Sequence, residues 1–205
     1  MLLQKTLSSL YDEATDAYSK HLKYCQYIAE LAESVDRETF NQVFQLLENA
    51  MFSRSKIFLA GNGGSAGVAS HICNDWIVSK RRDMPYPPIV SLTDNMPVMT
   101  AIANDYGYQE VFAKQLEALA ESGDILVVFS VSGNSKNIVR ACEFAKQKGV
   151  TTIGYTGFDG GEVAGIVDYS LRVKSSMPEY GPTEDLFQIF GHALIFLLEK
   201  NYPSN

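Results

Sequence analysis

A seam at alternating steps of three and four runs through the start of the chain: Leu7, Leu10, Ala14, Ala17, His21, Tyr24, Ile28 and Leu31. That spacing turns one face of a helix toward a neighbour and predicts a helix packed along one side. Asp36 is suited to cap a second helix, whose inward face reads Phe40, Val43, Phe44, Leu47 and Met51. The first 50 residues contain no glycine or proline. The chain is therefore expected to open with a helical hairpin over 1–52, its long seam packing against a partner subunit.

From Lys56 the period changes. Ile57–Ala60, Ile89–Leu92, Ile125–Phe129, Thr152–Tyr155 and Tyr169–Val173 are short apolar runs bounded by Gly, Pro, Asp or Ser. Helical patterns lie between them, around 65–79, 95–119, 136–147 and 159–165, and a last one covers about 183–201. Apolar strands alternating with helices predict an α/β core over 53–205, a five-stranded parallel doubly wound sheet covered on both faces. Ligands of such sheets sit at the carboxyl ends of the strands. At 205 residues one domain is expected.

Charge narrows the function. Lys plus Arg number 17 against 24 Asp plus Glu, a net charge of -7. An acidic surface repels phosphate backbones and anionic lipid, so neither nucleic acid nor a membrane surface is an expected partner. No apolar run approaches the ~20 residues of a membrane span. Asp12 and Glu13 interrupt the start before a signal core develops. Cys25, Cys73 and Cys142 form no CxxC pair, which reads as a reduced, cytoplasmic setting.

Two loops carry candidate chemistry. After the first strand comes Gly61-Asn62-Gly63-Gly64-Ser65-Ala66-Gly67. Its glycines let backbone N–H groups approach an anion at a helix start, though a plain tight turn reads the same way. A dinucleotide fingerprint wants an acid about 20 residues on. Asp94, the acid available, comes more than 30 residues after Gly61. After the third strand comes Ser130-Val131-Ser132-Gly133-Asn134-Ser135, directly before a helix. Three hydroxyls and free N–H groups converge there, which suits a phosphate monoester, while a cap at Ser135 with two turn serines is the plainer alternative.

Two helices add titratable groups. His71 and Asp75 stand at i and i+4 after the glycine loop, on one face. Glu184, Gln188 and His192 form a polar row on an otherwise apolar last helix. Such a row must find partners. Eight positions span ~12 Å of helix, so Glu184 and His192 reach one ion only from different subunits.

The glycine loop, the segments Leu92-Thr93-Asp94 and Ala103-Asn104-Asp105, the serine loop and Thr156-Gly157-Phe158-Asp159-Gly160-Gly161 resemble the sugar isomerase (SIS) family. The likeness is greatest to its phosphoheptose isomerases and runs over essentially the whole chain. It implies a homotetramer with active sites between subunits, converting sedoheptulose 7-phosphate to D-glycero-D-manno-heptose 7-phosphate. By resemblance Asn62, Gly63, Gly64, Ser65, Asn104, Asp105, Ser130, Val131, Ser132 and Ser135 contact the sugar phosphate. His71, Asp75, Glu184 and His192 match the family's zinc positions, which carry His, Glu, Gln and His. The catalytic roles then fall to Asp75 or Glu184 as base and His192 as acid. A non-catalytic relative that senses a phosphosugar, or binds the replication initiator as an adaptor, is the competing expectation.

Overall fold

The computed structural model describes residues 6–78 and 86–202. Three helices open the chain: α1 (Leu7–Asp12), α2 (Ala17–Ala32) and α3 (Arg37–Phe52). The strands are β1 (Ile57–Gly61), β2 (Ile89–Ser91), β3 (Ile125–Ser130), β4 (Thr151–Thr156) and β5 (Tyr169–Arg172). Between and after them run α4 (Gly64–Val78), α5 (Met96–Tyr106), α6 (Ala113–Leu119), α7 (Lys136–Gln147), α8 (Gly161–Ile166) and α9 (Tyr180–Asn201).

The five strands lie in the order β2-β1-β3-β4-β5, all parallel. Ile57 pairs with Ile125 and Ser130 with Thr156, so the strands end in step and their following loops share one rim. Alternate residues feed two cores. Ile57, Leu59, Val127, Phe129 and Tyr155 face α2, α3, α4 and α9 through Tyr27, Leu47, Ile72 and Phe187. Phe58, Leu126 and Val128 face α6, α7 and α8 through Leu116, Ile138 and Val163. Burial on both faces is why these strands read as continuous apolar runs.

The two helices expected at the start of the chain are α2 and α3, but the first is not continuous. The Asp16 side chain accepts from Ser19 N at 2.8 Å and Ser19 Oγ accepts from Asp16 N at 3.1 Å. That reciprocal cap starts a new helix and leaves α1 as a separate turn-and-a-half. Tyr27, Ile28 and Leu31 are buried within the chain, whereas Ala17 and His21 stay exposed. The predicted 95–119 helix is also divided, because Gly107 at φ +93 leaves helical space and a 3-10 turn, Tyr108–Glu110, follows. Position 79 of the predicted 65–79 helix lies outside the described residues. The last helix starts earlier than expected, at Tyr180, with Pro182 in its first turn where an N–H is dispensable.

Candidate active site

The strand order reverses direction between β1 and β3, and the loops after these two strands flank the resulting crevice. Open parallel sheets bind ligands at such a point. The glycine loop and the serine loop are those two loops. Their helix starts differ in one respect, the presence of a carboxylate.

At the start of α4 a carboxylate of the chain itself is already in place. Glu184 lies directly against Gly64, and its Oε1 accepts from the buried Ser65 hydroxyl at 3.3 Å. The positive end of α4 is thereby complemented from within. At the start of α7 no acidic side chain occupies the first turn. Ser135 holds the N-cap position without a side-chain cap bond, so its hydroxyl is not spent on the helix. Its carbonyl accepts from Ile138 N and Val139 N at 2.9 and 3.0 Å. The capping alternative for Ser135 is therefore not the one adopted. Ser130 and Val131 are buried, and Ser132 Oγ accepts from Asn134 N at 3.3 Å. Bonds from Gly157 N to Val131 O (2.8 Å) and from Val163 N to Gly133 O (3.0 Å) fix the loop against α8 and its approach.

Asn62 and Asn137 bridge the crevice. Each side-chain amide donates to the other's oxygen at 2.8 Å, and the Tyr108 hydroxyl donates to Asn62 Oδ1 at 2.9 Å. Asn104 and Asp105 sit exposed at the end of α5, joined to one another at 2.8 Å.

A second group lies on α4 and α9. Asp75 Oδ2 stands 3.2 Å from His71 Nε2 and 3.0 Å from His192 Nε2, and the two imidazole nitrogens are 3.2 Å apart. The helices approach closely enough for this because α9 presents Gly191 to Ile72. A Cβ at Gly191 would lie 2.5 Å from Ile72 Cδ1. Gly191 and Ile72 are the chain neighbours of His192 and His71, so the contact that joins the helices also seats the cluster. Cys73, between His71 and Asp75, is buried, and burial pushes its thiol pKa up, which keeps it a neutral packing residue.

His71, Asp75 and His192 thus bring two nitrogens and a carboxylate oxygen within 4.8 Å of one another. Three such ligands with an open fourth position are the donor set of catalytic zinc sites. The fourth expected ligand, Glu184, is not in this group. It lies two helical turns before His192, held at the start of α4, and the chain's own neighbour of His192 is Gln188 at 3.1 Å. Within one chain Glu184 and His192 stand apart, as the rise of eight helical positions requires. Asn137 and Tyr108 were not singled out from sequence. Asn137 carries one readable signal, an amide in the first turn of a helix directly beside the apolar Ile138.

Comparison with known proteins identifies the family. The family model described as SIS domain matches residues 23–157. The phosphoheptose isomerase of Thermodesulfovibrio yellowstonii is 40% identical over 77% of this chain and 78% of its own length. That of Clostridium acetobutylicum is 37% identical over 90% of this chain and 89% of its own. The solved structure of phosphoheptose isomerase from Neisseria gonorrhoeae superposes with a TM-score of 0.80 at 31% identity, covering 89% of this chain and 97% of that one. With the matching profile, the five-stranded parallel sheet and the serine loop at its switch point, the chain belongs to the SIS domain family.

Proposed function

We propose that this protein is a phosphosugar aldose–ketose isomerase that interconverts sedoheptulose 7-phosphate and D-glycero-D-manno-heptose 7-phosphate. The observation that carries the reading is Asp75 Oδ2 held between the His71 and His192 imidazoles, on the helix that leaves the switch-point crevice. The relatives that bear the phosphoheptose isomerase name support the substrate class.

The serine loop binds the phosphate through the Ser132 and Ser135 hydroxyls and the first-turn N–H groups of α7, which carry no competing carboxylate. Glycine-loop N–H groups and Asn62 orient the sugar oxygens. Asp75 takes the proton from C1 of the ketose while electrons move to O2, and His192 gives that oxygen a proton, leaving an enediol. A proton then leaves O1 as one is delivered to C2, which forms the aldose with protons in balance. Asp75 Oδ2 is turned to the imidazoles, so Oδ1, contacted by Asn74 Nδ2 at 3.4 Å, is the oxygen that accepts the proton.

His71, Asp75 and His192 would hold a divalent ion, His192 then serving as a ligand in place of its proton-donor role, and nitrogen with carboxylate donors favours zinc over magnesium. Such an ion supplies polarisation of the substrate oxygens where charge develops. Glu184 takes part as ligand or as alternative base only from a second subunit. Exposed apolar side chains flank the cluster, Ile189 and Phe196 on α9 and Val78 on α4. Their cover in the proposed homotetramer is a second copy of this face, with α1, α2 and α3 also between subunits. The three free thiols fit a cytoplasmic setting. Among the described residues no helix is long and apolar enough to cross a membrane.

A thermal-shift screen with sedoheptulose 7-phosphate and fructose 6-phosphate, with and without zinc, paired with a product assay, tests this function. Heptose-selective stabilisation with turnover is expected. Stabilisation without turnover identifies a phosphosugar-binding regulator or adaptor instead.

A further inference from the structure

We infer that Asn137 and Tyr108 are positioning residues that fix which hydrogen-bonding group Asn62 offers to the sugar; the inference rests on the function proposed above. Asn137 is only 3% exposed, in the first turn of α7. A buried amide must be satisfied, and this one finds its partner in Asn62 on the opposite wall of the crevice. The pair is reciprocal, with both N···O distances 2.8 Å. Tyr108 adds a second donor to Asn62 Oδ1 at 2.9 Å.

Counting capacities gives the consequence. An amide oxygen has two acceptor positions and an amide nitrogen two hydrogens. Both acceptor positions of Asn62 are taken, by Asn137 and Tyr108, and one of its hydrogens goes to Asn137. What remains for a ligand is one N–H. Asn62 therefore meets the sugar as a donor, to a carbonyl or hydroxyl oxygen, and not as an acceptor.

The position of that donor is fixed as well as its polarity. Tyr108 belongs to the 3-10 turn after α5, and the turn is fastened to α7 because Arg140 Nε donates to both Glu110 oxygens, at 3.0 and 3.3 Å. The glycine loop, this turn and α7 thus meet at one amide. Since α7 also begins at the serine loop, the junction sets the span between the phosphate and the sugar oxygen that Asn62 contacts.

The test is a double-mutant cycle of Asn62→Ala and Asn137→Ala, read as kcat/KM and as the calorimetric Kd for sedoheptulose 7-phosphate. Each single variant is expected to lose about 10-fold or more, mainly in KM and Kd. Because Asn137 acts through Asn62, the double variant should be no worse than Asn62→Ala by more than about twofold. Tyr108→Phe should lose only several-fold, and inorganic phosphate, used as a competitive inhibitor, should bind all variants alike. Losses that multiply in the double variant, or an Asn137→Ala protein that no longer binds inorganic phosphate, would overturn the inference. If Asn137→Ala is not folded by circular dichroism, Asn137→Ser replaces it in the cycle. A wild type that binds the sugar without turning it over fails the isomerase reading alone, since the Kd cycle still decides the inference. A wild type that does not bind it overturns both.

Discussion

Asp75 Oδ2 lies 3.0 Å from His192 Nε2, joining a helix that begins near residue 64 to one that ends near residue 201. Neither side chain has its chemistry alone. The packing of α4 on α9 sets a carboxylate oxygen and two imidazole nitrogens within 4.8 Å of one another. Everything else in the proposed site is arranged about this contact and about the crevice between β1 and β3.

The serine loop is predicted to supply the phosphate affinity. Each hydroxyl removed by Ser132→Ala or Ser135→Ala should cost about 1.5–3 kcal/mol of phosphosugar binding, measured by calorimetry. Ser135 makes no side-chain cap bond, so its loss should leave the melting temperature of the free protein unchanged. Unaltered affinity in the double variant would move the phosphate elsewhere.

Glu184→Gln separates two roles at nearly constant volume. With Glu184 seated against Gly64 at the start of α4, the substitution removes a favourable charge from a helix N-terminus, worth about 0.3–1 kcal/mol of stability. With Asp75 as the proposed base, turnover should stay within about tenfold of the wild type. A fall of several orders of magnitude would assign the base to Glu184.

Gly191→Ala should damage the cluster without touching it. The added methyl would lie 2.5 Å from Ile72 Cδ1, so the helices must part or Ile72 must repack. Overpacking of this kind costs about 1–3 kcal/mol. Weaker zinc binding alongside a lower melting temperature is expected. Unchanged zinc affinity would mean that the close helix approach does not seat His71 and His192.

The apolar face beside His192 is predicted to be an interface between copies. Light scattering should give a tetramer for the wild type, and Phe196→Asp should dissociate it and reduce turnover together. A wild-type monomer at micromolar concentration would remove both the interface and any part for a second subunit's Glu184.

Much of this was legible in the sequence because the relevant patterns are local. Apolar runs such as Ile125–Phe129 announce buried parallel strands, and the serines that follow announce a helix start with unspent donors. His71 and Asp75 share a face by spacing alone. The breaks were less legible. Asp16 splits the N-terminal seam through a cap that competes with an unbroken apolar pattern, and Gly107 does the same after α5. Asn137 and Tyr108 were hidden for another reason: their shared partner, Asn62, is brought to them only by the packing of separate elements. Glu184 shows the converse, a residue whose motif position says ligand while its helix rise, within one chain, says otherwise.

The most direct test of the account is product formation from sedoheptulose 7-phosphate by the zinc-supplemented wild type and by Asp75→Asn, with circular dichroism confirming that both are folded. The account predicts D-glycero-D-manno-heptose 7-phosphate from the wild type, and a rate about 10²–10⁴-fold lower from the variant. A folded wild type that binds the sugar phosphate and forms no aldose, or an Asp75→Asn protein of undiminished rate, would contradict it.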